Sequence, residues 1–238
     1  MRRGTFGLSS QDETAMTQDI VLAAEKELED IGYTPIGKDY KTGDVRKISA
    51  KLFKGMKGKP LDYVFAVCES LLEQRSRPMG VIAYDFAYRM MKHYDADTFA
   101  VFERWLKAYV RGWGDCDDFC THAFGELICQ NTELADKVIK WTTRDEFWLR
   151  RAAAVVLIPS IYKDKYIETK PLRISDILMT DEHDLVRKGY GWMLKVLSTK
   201  EPDMVFDYLT RHKEQMPRVS YRYALEKMDA CKRRMLMQ

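Results

Sequence analysis

The feature that most constrains the fold is a helical pattern that recurs along the second half of the chain. The segment FWLRRAAAVVL at 147–157 is echoed by DLVRKGYGWMLKVL at 184–197, which puts Arg150 and Arg187 in equivalent places. RVSYRYALEKM at 218–228 is a fainter third copy. A helix-pair unit that recurs every ~35–45 residues predicts stacked repeats, because each unit buries its apolar face against the next. The alternative is an irregular helical bundle with chance similarity.

Apolar residues at helical spacing fill most of the sequence, and few glycines or prolines interrupt them. The predicted helices cover 16–31, 45–54, segments that begin at Pro60 and Pro78, 97–110, 115–129, 132–141, 145–158, 175–179, 182–197, 202–215 and 219–235. Only VVLI at 155–158 is strand-like, and it lies inside a longer helical pattern. We therefore expect an all-α fold, a HEAT-like α-solenoid of antiparallel helix pairs with a concave face. Residues 1–15 are expected to be a flexible tail, and 16–238 a single domain.

Composition and charge exclude several classes of protein. Hydrophobic residues at 46% and charged residues at 32% are typical of a soluble globular chain, and no apolar run approaches the ~20 residues of a membrane span. The basic start at residues 1–3 is not followed by a signal-peptide core, and five cysteines without framework spacing fit reduced thiols. We therefore expect a cytoplasmic protein. A net charge of +3 neither demands nor excludes a nucleic-acid partner.

The stretch WGDCDDFC, from Trp113 to Cys120, concentrates unusual chemistry at the start of an apolar helix. Asp115 is expected to cap that helix, and acids in its first turn suit the helix dipole. A structural helix start needs neither a tryptophan nor the further acids Asp117 and Asp118. The stretch is therefore a candidate functional site.

A metal site is one alternative interpretation of the same stretch. Cys116 and Cys120 would share a helix face, with His122 nearby, and thiolates bind zinc well. A second pair of closely spaced ligands is missing, since Cys68 and Cys129 do not supply one. We therefore favour buried small thiols and expect no metal and no cofactor. The P-loop, G-x-G-x-x-G, H-E-x-x-H and G-x-S-x-G motifs are also absent from the sequence, and its histidines have no recognisable nucleophile partner.

Basic and aromatic residues recur at matching places of two predicted helices. They are Trp148, Arg150 and Arg151 on the first helix, and Arg187, Lys188 and Trp192 on the second. Cations repeated along a solenoid would suit phosphates, and the aromatic rings could pack against sugars or bases. The alternative is that the tryptophans fill the core and the basic residues are solvated or paired with acids.

Three short patterns carry a resemblance to a known family. Trp113-x3-Asp117 at a helix start, then WLRRAA at 148–153, then VRKGYGW at 186–192 resemble the DNA alkylation-repair glycosylases of the AlkD type. The family pattern runs W-x-x-x-D, W-x-x-R-x-A and K-A-I-G-W in this order and at similar separations. The resemblance covers roughly residues 20–230.

The resemblance implies an enzyme that holds duplex DNA and hydrolyses the N-glycosidic bond of N3- and N7-alkylated purines without flipping the base. It implies that Asp117 is the catalytic aspartate, with Trp113 and Trp192 as the site tryptophans. Arg151 matches the arginine of the middle motif, with Arg150 beside it. We further expect five residues to contact DNA: Trp148, Arg150, Arg151, Arg187 and Lys188. We also expect a monomer whose partner is double-stranded DNA containing alkylated purines, not a membrane.

Some residues depart from the family pattern. Asp115-Cys116 replaces a Thr-Val pair, Asp118 adds negative charge where phosphates should pass, and GYGW replaces AIGW at 189–192. These departures indicate a divergent branch. Two other hypotheses stay open: a non-catalytic HEAT-like module that binds DNA structure or a protein, and a metal-dependent helical enzyme that uses Cys116, Cys120 and His122.

Overall fold

The computed structural model describes residues 10–34 and 40–237, and every regular element in those ranges is helical. This confirms the all-α prediction. Helices of the described part are all too short or too polar to cross a membrane. The chain divides into two compact units, Met1–Tyr94 and Asp95–Gln238. The expected single domain over 16–238 stays a prediction.

In the described part of the first unit, four α-helices pack their apolar faces together. They are α1 Ser10–Asp30, α2 Thr42–Leu52, α3 Leu61–Glu73 and α4 Arg77–Arg89, with short 3-10 helices at Phe53–Met56 and Met91–His93. Helix α1 packs against α2 and α3, and α4 packs against the same two helices. The first helix begins at Ser10, six residues before the predicted start at Met16. The rest of the expected tail, residues 1–9, lies outside the described residues.

The second unit contains twelve α-helices. They are α5 Thr98–Ala108, α6 Trp113–Thr121, α7 Ala123–Gln130, α8 Ala135–Val138, α9 Phe147–Val155, α10 Ile158–Tyr162, α11 Tyr166–Thr169, α12 Pro171–Leu178, α13 Asp184–Leu197, α14 Pro202–His212, α15 Arg218–Leu225 and α16 Ala230–Met237. Two 3-10 helices, Thr132–Leu134 and Ile139–Thr143, flank α8. Pro171 and Pro202 stand at the first position of their helices, where the missing N–H leaves no hydrogen bond unmade.

Four of these helices form a row that matches the repeat seen in the sequence. Helices α6, α9, α13 and α15 begin at residues 113, 147, 184 and 218; α9 packs against α6 and α13, and α13 packs against α15. The repeating segments therefore stack on one another, as predicted. The fifth residue of each helix is charged, and these residues are Asp117, Arg151, Lys188 and Arg222.

An aromatic cluster packs against the buried face of α6. Phe119, on the buried face of α6, contacts Phe102 and Phe124 edge to face or tilted at 5.2 and 5.4 Å between ring centroids. Phe124 in turn meets Trp141 at 5.2 Å. Rings of this size dominate core packing, so the cluster holds α6 rigidly and leaves Trp113 and Asp117 on its other side.

The predicted helix over 115–129 is wrong in one respect, because it breaks at His122. His122 has φ −121° and ψ −99°, which ends α6 and starts α7. The carbonyls in the last turn of α6 have side-chain partners: Thr121 Oγ1 donates to Asp117 O at 2.7 Å, and His122 Nδ1 lies 2.8 Å from Asp118 O. The predicted helices over 132–141, 145–158 and 219–235 are likewise divided into shorter elements.

Gly125 makes this break possible. A Cβ atom at this position would overlap the Cys120 carbonyl oxygen and lie 2.5 Å from Pro159 Cγ. Both neighbours belong to rigid, buried parts of the chain, so neither can yield easily.

We predict that Gly125→Ala lowers the free energy of unfolding by about 2–3 kcal/mol, because the overlap outweighs the gain of up to ~1 kcal/mol in helix propensity. Chemical denaturation measures this. Gly80→Ala is the matched control, since a Cβ there meets its nearest neighbour, Tyr84, at an ordinary 3.6 Å. Equal effects of the two substitutions would contradict the packing argument.

Candidate active site

Helix α6 presents the first two predicted site residues on one side. It begins at Trp113 with Gly112 at the N-cap position, so Asp115 is not the N-cap residue, and its capping of the helix stays a prediction. Asp115 lies instead in the first turn, where its charge suits the helix dipole. Trp113 is 52% exposed, and Asp117 follows one turn later on the same side of the helix.

A bidentate ion pair joins Asp117 to Arg151. Arg151 Nε donates to Asp117 Oδ1 and Nη2 donates to Oδ2, both at 2.7 Å. Arg151 is only 5% exposed, and its Nη1 donates to the Leu185 backbone carbonyl. The guanidinium therefore connects three neighbouring helices of the row: α6 through Asp117, α9 through its own backbone and α13 through Leu185.

The ion pair stabilises the charged form of Arg151. Burial alone would lower the pKa of Arg151, but the hydrogen bonds and the negative charge of Asp117 outweigh burial and raise it. A planar guanidinium opposite a carboxylate fixes the orientation of both groups. Asp117 keeps a side-chain exposure of 19%, so its carboxylate remains reachable from outside. The result is an oriented carboxylate with a partly open face.

Helix α13 closes the other side of the Arg151 side chain. A Cβ at Gly189 would lie 3.1 Å from Arg151 Cγ and 3.2 Å from Nη1, so the glycine leaves the room that this side chain uses. Trp192, the second predicted site tryptophan, is half-buried and lies seven residues after Leu185 on the same face of α13. At ~1.5 Å per residue it stands about 10 Å further along the helix axis.

Arg150 and Arg187, equivalent in the repeat, converge on one residue before α13. Arg150 Nε donates to Asp181 Oδ2 at 2.5 Å, while its Nη1 donates to the carbonyls of Arg144 and Asp145. Arg187 Nε donates to the Asp181 backbone oxygen at 2.6 Å. These two arginines therefore hold the loop before α13 in place.

Lys188 and Trp148 complete the predicted set. Lys188 Nζ lies 2.5 Å from Asp184 Oδ2, which raises its pKa by a hydrogen bond and by charge. Trp148 is half-buried, with the Arg111 guanidinium 5.6 Å from its ring centroid and Phe147 at 5.4 Å. Arg150, Arg151 and Lys188 pair with acids, as the alternative interpretation of the sequence allowed, and the contact of the predicted set with DNA stays a prediction.

Comparison with known proteins decides the family. A family model described as DNA alkylation repair enzyme matches residues 40–228, most of the chain. This chain belongs to that family. The AlkD-like resemblance of its three sequence patterns is thereby confirmed. No curated protein matches the chain.

Three solved structures resemble this DNA alkylation repair family member. A predicted DNA alkylation repair enzyme from Enterococcus faecalis has 14% identity and a TM-score of 0.70, over 95% of this chain and 99% of that one. The protein smu.31 from Streptococcus mutans UA159 has 17% identity and a TM-score of 0.63, over 90% and 100%. AlkD2 from Streptococcus mutans has 18% and 0.59, over 92% and 99%. At such identities the likeness shows the shared helical-repeat fold alone.

The metal alternative finds no support in the geometry of this family member. No group of three or more His, Cys, Asp or Glu side chains among the described residues is placed to hold a metal ion. Cys116 and Cys120 are buried in the core, and burial raises the pKa of the Cys120 thiol well above its usual range.

Three parts of the site were missed in the sequence. The Leu185 carbonyl and the Asp181 carboxylate take bonds from arginines that were themselves predicted, yet nothing in the sequence pairs them. Gly189 was noticed only as a departure from the alkylation repair pattern, where alanine is usual. Its meaning depends on the position of Arg151, which only the folded chain reveals.

We predict that Gly189→Ala lowers the free energy of unfolding by about 1 kcal/mol, although alanine favours helix, because three hydrogen bonds keep Arg151 from moving aside. Denaturant unfolding measures the change. In an Arg151→Lys background, which lacks Nη1, the same substitution should cost less. An equal cost in both backgrounds would mean that the crowding does not involve the guanidinium.

Proposed function

We propose that this chain is a DNA glycosylase that hydrolyses the N-glycosidic bond of positively charged N3- and N7-alkylated purines in duplex DNA. We propose further that it works without flipping the base and without a cofactor, as a monomer. The observation that carries the proposal is the Asp117 carboxylate, oriented by Arg151 one turn after an exposed Trp113, in a member of the DNA alkylation repair family.

Hydrolysis of this N-glycosidic bond depends more on a carboxylate than on a group that protonates the base. An alkylated purine already carries the positive charge that makes it a good leaving group, so the bond to the sugar breaks with the electron pair going to the base. The sugar becomes oxocarbenium-like, and a carboxylate stabilises that charge and orients the water that adds to it. Each oxygen of Asp117 accepts one bond from Arg151 and keeps lone-pair capacity for this role.

The aromatic side chains would act on the same cation. An indole face attracts positive charge, and Trp113 exposes about half of its surface one turn before Asp117. Trp192 would contribute from α13, further from the carboxylate. Stacking against the sugar rather than enclosing the base is compatible with lesions of many sizes.

We propose a role for Arg151 that differs from the DNA contact predicted for it. Its donors point at Asp117 and at Leu185, inside the protein, so we propose that it positions the carboxylate and does not bind a phosphate. Among the predicted DNA contacts, Lys188 is the better candidate for phosphate, because its side chain is 35% exposed and its partner Asp184 is 60% exposed.

One observation favours the second candidate, a non-catalytic module that binds DNA. Both Asp117 oxygens are engaged by Arg151, as they would be in a pair whose only role is structural. The two candidates differ in whether base release occurs at all.

We predict that Asp117→Asn slows release of 7-methylguanine from alkylated duplex DNA by roughly a hundredfold or more, because the charge that stabilises the transition state is lost. It should also lower the free energy of unfolding by about 3 kcal/mol, since Arg151 loses its buried counter-ion. Single-turnover assays well below the melting temperature separate the two effects.

Asp115→Asn is the control for this substitution, because it makes the same chemical change on the same helix two residues earlier. It should leave release within about threefold of the unsubstituted protein. Full activity in Asp117→Asn, together with loss in Asp115→Asn or Asp118→Asn, would mean that another aspartate is the catalytic one. No release by the unsubstituted protein, with duplex binding intact, would favour the non-catalytic module.

A further prediction follows because the proposed mechanism does not require a general acid to protonate the base. Bulky cationic N7 or N3 adducts should be released along with 7-methylguanine, whereas uracil and hypoxanthine, which are uncharged, should not. Single-turnover rates for charged and neutral lesions in one duplex sequence measure this. Efficient excision of a neutral base would require a proton donor, and Asp118 would be the first residue to test.

A further inference from the structure

A second concentration of charge lies apart from Asp117, in a groove of about 440 Å³ between α5 and the segment 137–144. Four cations line it: Lys107, Lys137, Lys140 and Arg144. They surround one carboxylate, that of Glu103. The groove belongs to helices other than the row of α6, α9, α13 and α15, and the family patterns do not include any of its residues.

The carboxylate of Glu103 is already fully engaged. Its Oε1 accepts from Trp141 Nε1 at 2.8 Å, and its Oε2 lies 3.0 Å from Lys107 Nζ. Burial raises the pKa of Glu103, but the hydrogen bonds from Trp141 and Lys107 and the charges of Lys107 and Arg144 outweigh burial and lower it. Glu103 therefore stays ionised and offsets one of the four cations.

The three remaining cations have no carboxylate partner among the described residues. Lys137, Lys140 and Arg144 are all exposed, and the only ring contact among them is that of Lys137 Nζ, 5.0 Å from the Phe99 centroid. Their excess of three positive charges equals the formal net charge of the whole chain, +3.

The aromatic floor of the groove excludes recognition by stacking. Trp141 is 1% exposed and Phe99 is 6% exposed, and the two rings stack on each other at 6.1 Å. Lys137 covers part of Phe99. A nucleobase therefore finds no free ring face, and the groove offers charge alone, which suits a phosphate group.

We propose that this groove binds a backbone phosphate of duplex DNA, as an anchor separate from the Asp117 site; the proposal rests on the DNA-binding part of the proposed function. Two contacts join the groove to that site. Arg111, which lies over the Trp148 ring, donates to the Lys107 carbonyl at 3.0 Å. Arg150 donates to the Arg144 carbonyl at 2.8 Å. A DNA strand that passes Trp148 would therefore lie next to Arg111 and Arg150, which contact backbone atoms at the rim of the groove.

The test measures binding of undamaged duplex DNA to the full chain as a function of salt concentration. Lys140→Gln/Arg144→Gln removes two exposed cations and leaves the Arg144 carbonyl in place. The slope of log affinity against log salt should become shallower by roughly 1–2, with affinity near 0.1 M salt reduced about tenfold or more. Lys213→Gln/Lys227→Gln, an equal loss of exposed charge elsewhere in the second unit, should leave the slope nearly unchanged.

Glu103→Gln should change duplex affinity in the opposite direction. Glutamine can still accept the Trp141 hydrogen bond but carries no charge, so duplex affinity should rise by a few fold. With circular dichroism showing that the variant remains folded, the increase would separate a charge effect from a folding defect. An unchanged slope in the double variant, or no increase with Glu103→Gln in a protein that remains folded, would overturn the proposal.

Inorganic phosphate and thymidine monophosphate are the competing probes. We expect neither to displace duplex DNA below about millimolar concentration, because one phosphate cannot replace a polyanion. Micromolar binding of either probe that is lost in the double variant, with duplex affinity unaffected, would overturn the DNA assignment in favour of a small phosphate ligand. Undamaged DNA needs no base release, so a protein that binds but does not cleave refutes the glycosylase proposal and leaves this test intact.

Discussion

A buried guanidinium sets the geometry of the second unit. Taking the charge of Arg151 out of water is costly unless a counter-ion and hydrogen-bond acceptors surround it, and Asp117 with the Leu185 carbonyl provides both. Because those partners come from α6 and α13, the two helices must stand at one separation and register on either side of α9. The position of the Asp117 carboxylate is therefore fixed by the cost of leaving Arg151 unpaired.

The helical repeat explains how such a pair arises. The fifth residues of α6, α9, α13 and α15 occupy equivalent places. Charged residues at this position in successive copies therefore form a line across the row. In this chain the line begins with an acid, Asp117, and continues with Arg151, Lys188 and Arg222. Neighbouring side chains of this line form an ion pair only where their charges are opposite and the helices leave enough space between them. Gly189 provides that space, because a larger residue there would press on Arg151.

Much of this could be predicted from the sequence, and the limits have physical causes. Helical spacing gave the end of α13 at Leu197 and the start of α14 at Pro202, and the echoing segments indicated the stacked row. Asp117 and Arg151 were each selected, but their contact spans 34 positions and depends on how two helices dock. The break at His122 was missed because apolar spacing continues on both sides of it. The crowding around Gly125, where a Cβ atom would meet Cys120 and Pro159, is a tertiary contact that the sequence does not show.

Pairing also decides which cations can act on a ligand. Around Asp117 the arginines are committed to protein acceptors, Arg150 to Asp181 and Arg151 to Asp117 itself, whereas Lys188 pairs with Asp184, which is 60% exposed. Local potential, rather than total charge, governs the attraction of a polyanion, so a chain of low net charge needs a place where cations are unpaired. The groove of the second unit is such a place. Under the proposed function the two regions then divide the electrostatic work, since the oriented carboxylate stabilises a transient positive charge on the sugar while the groove holds the permanent negative charge of the backbone.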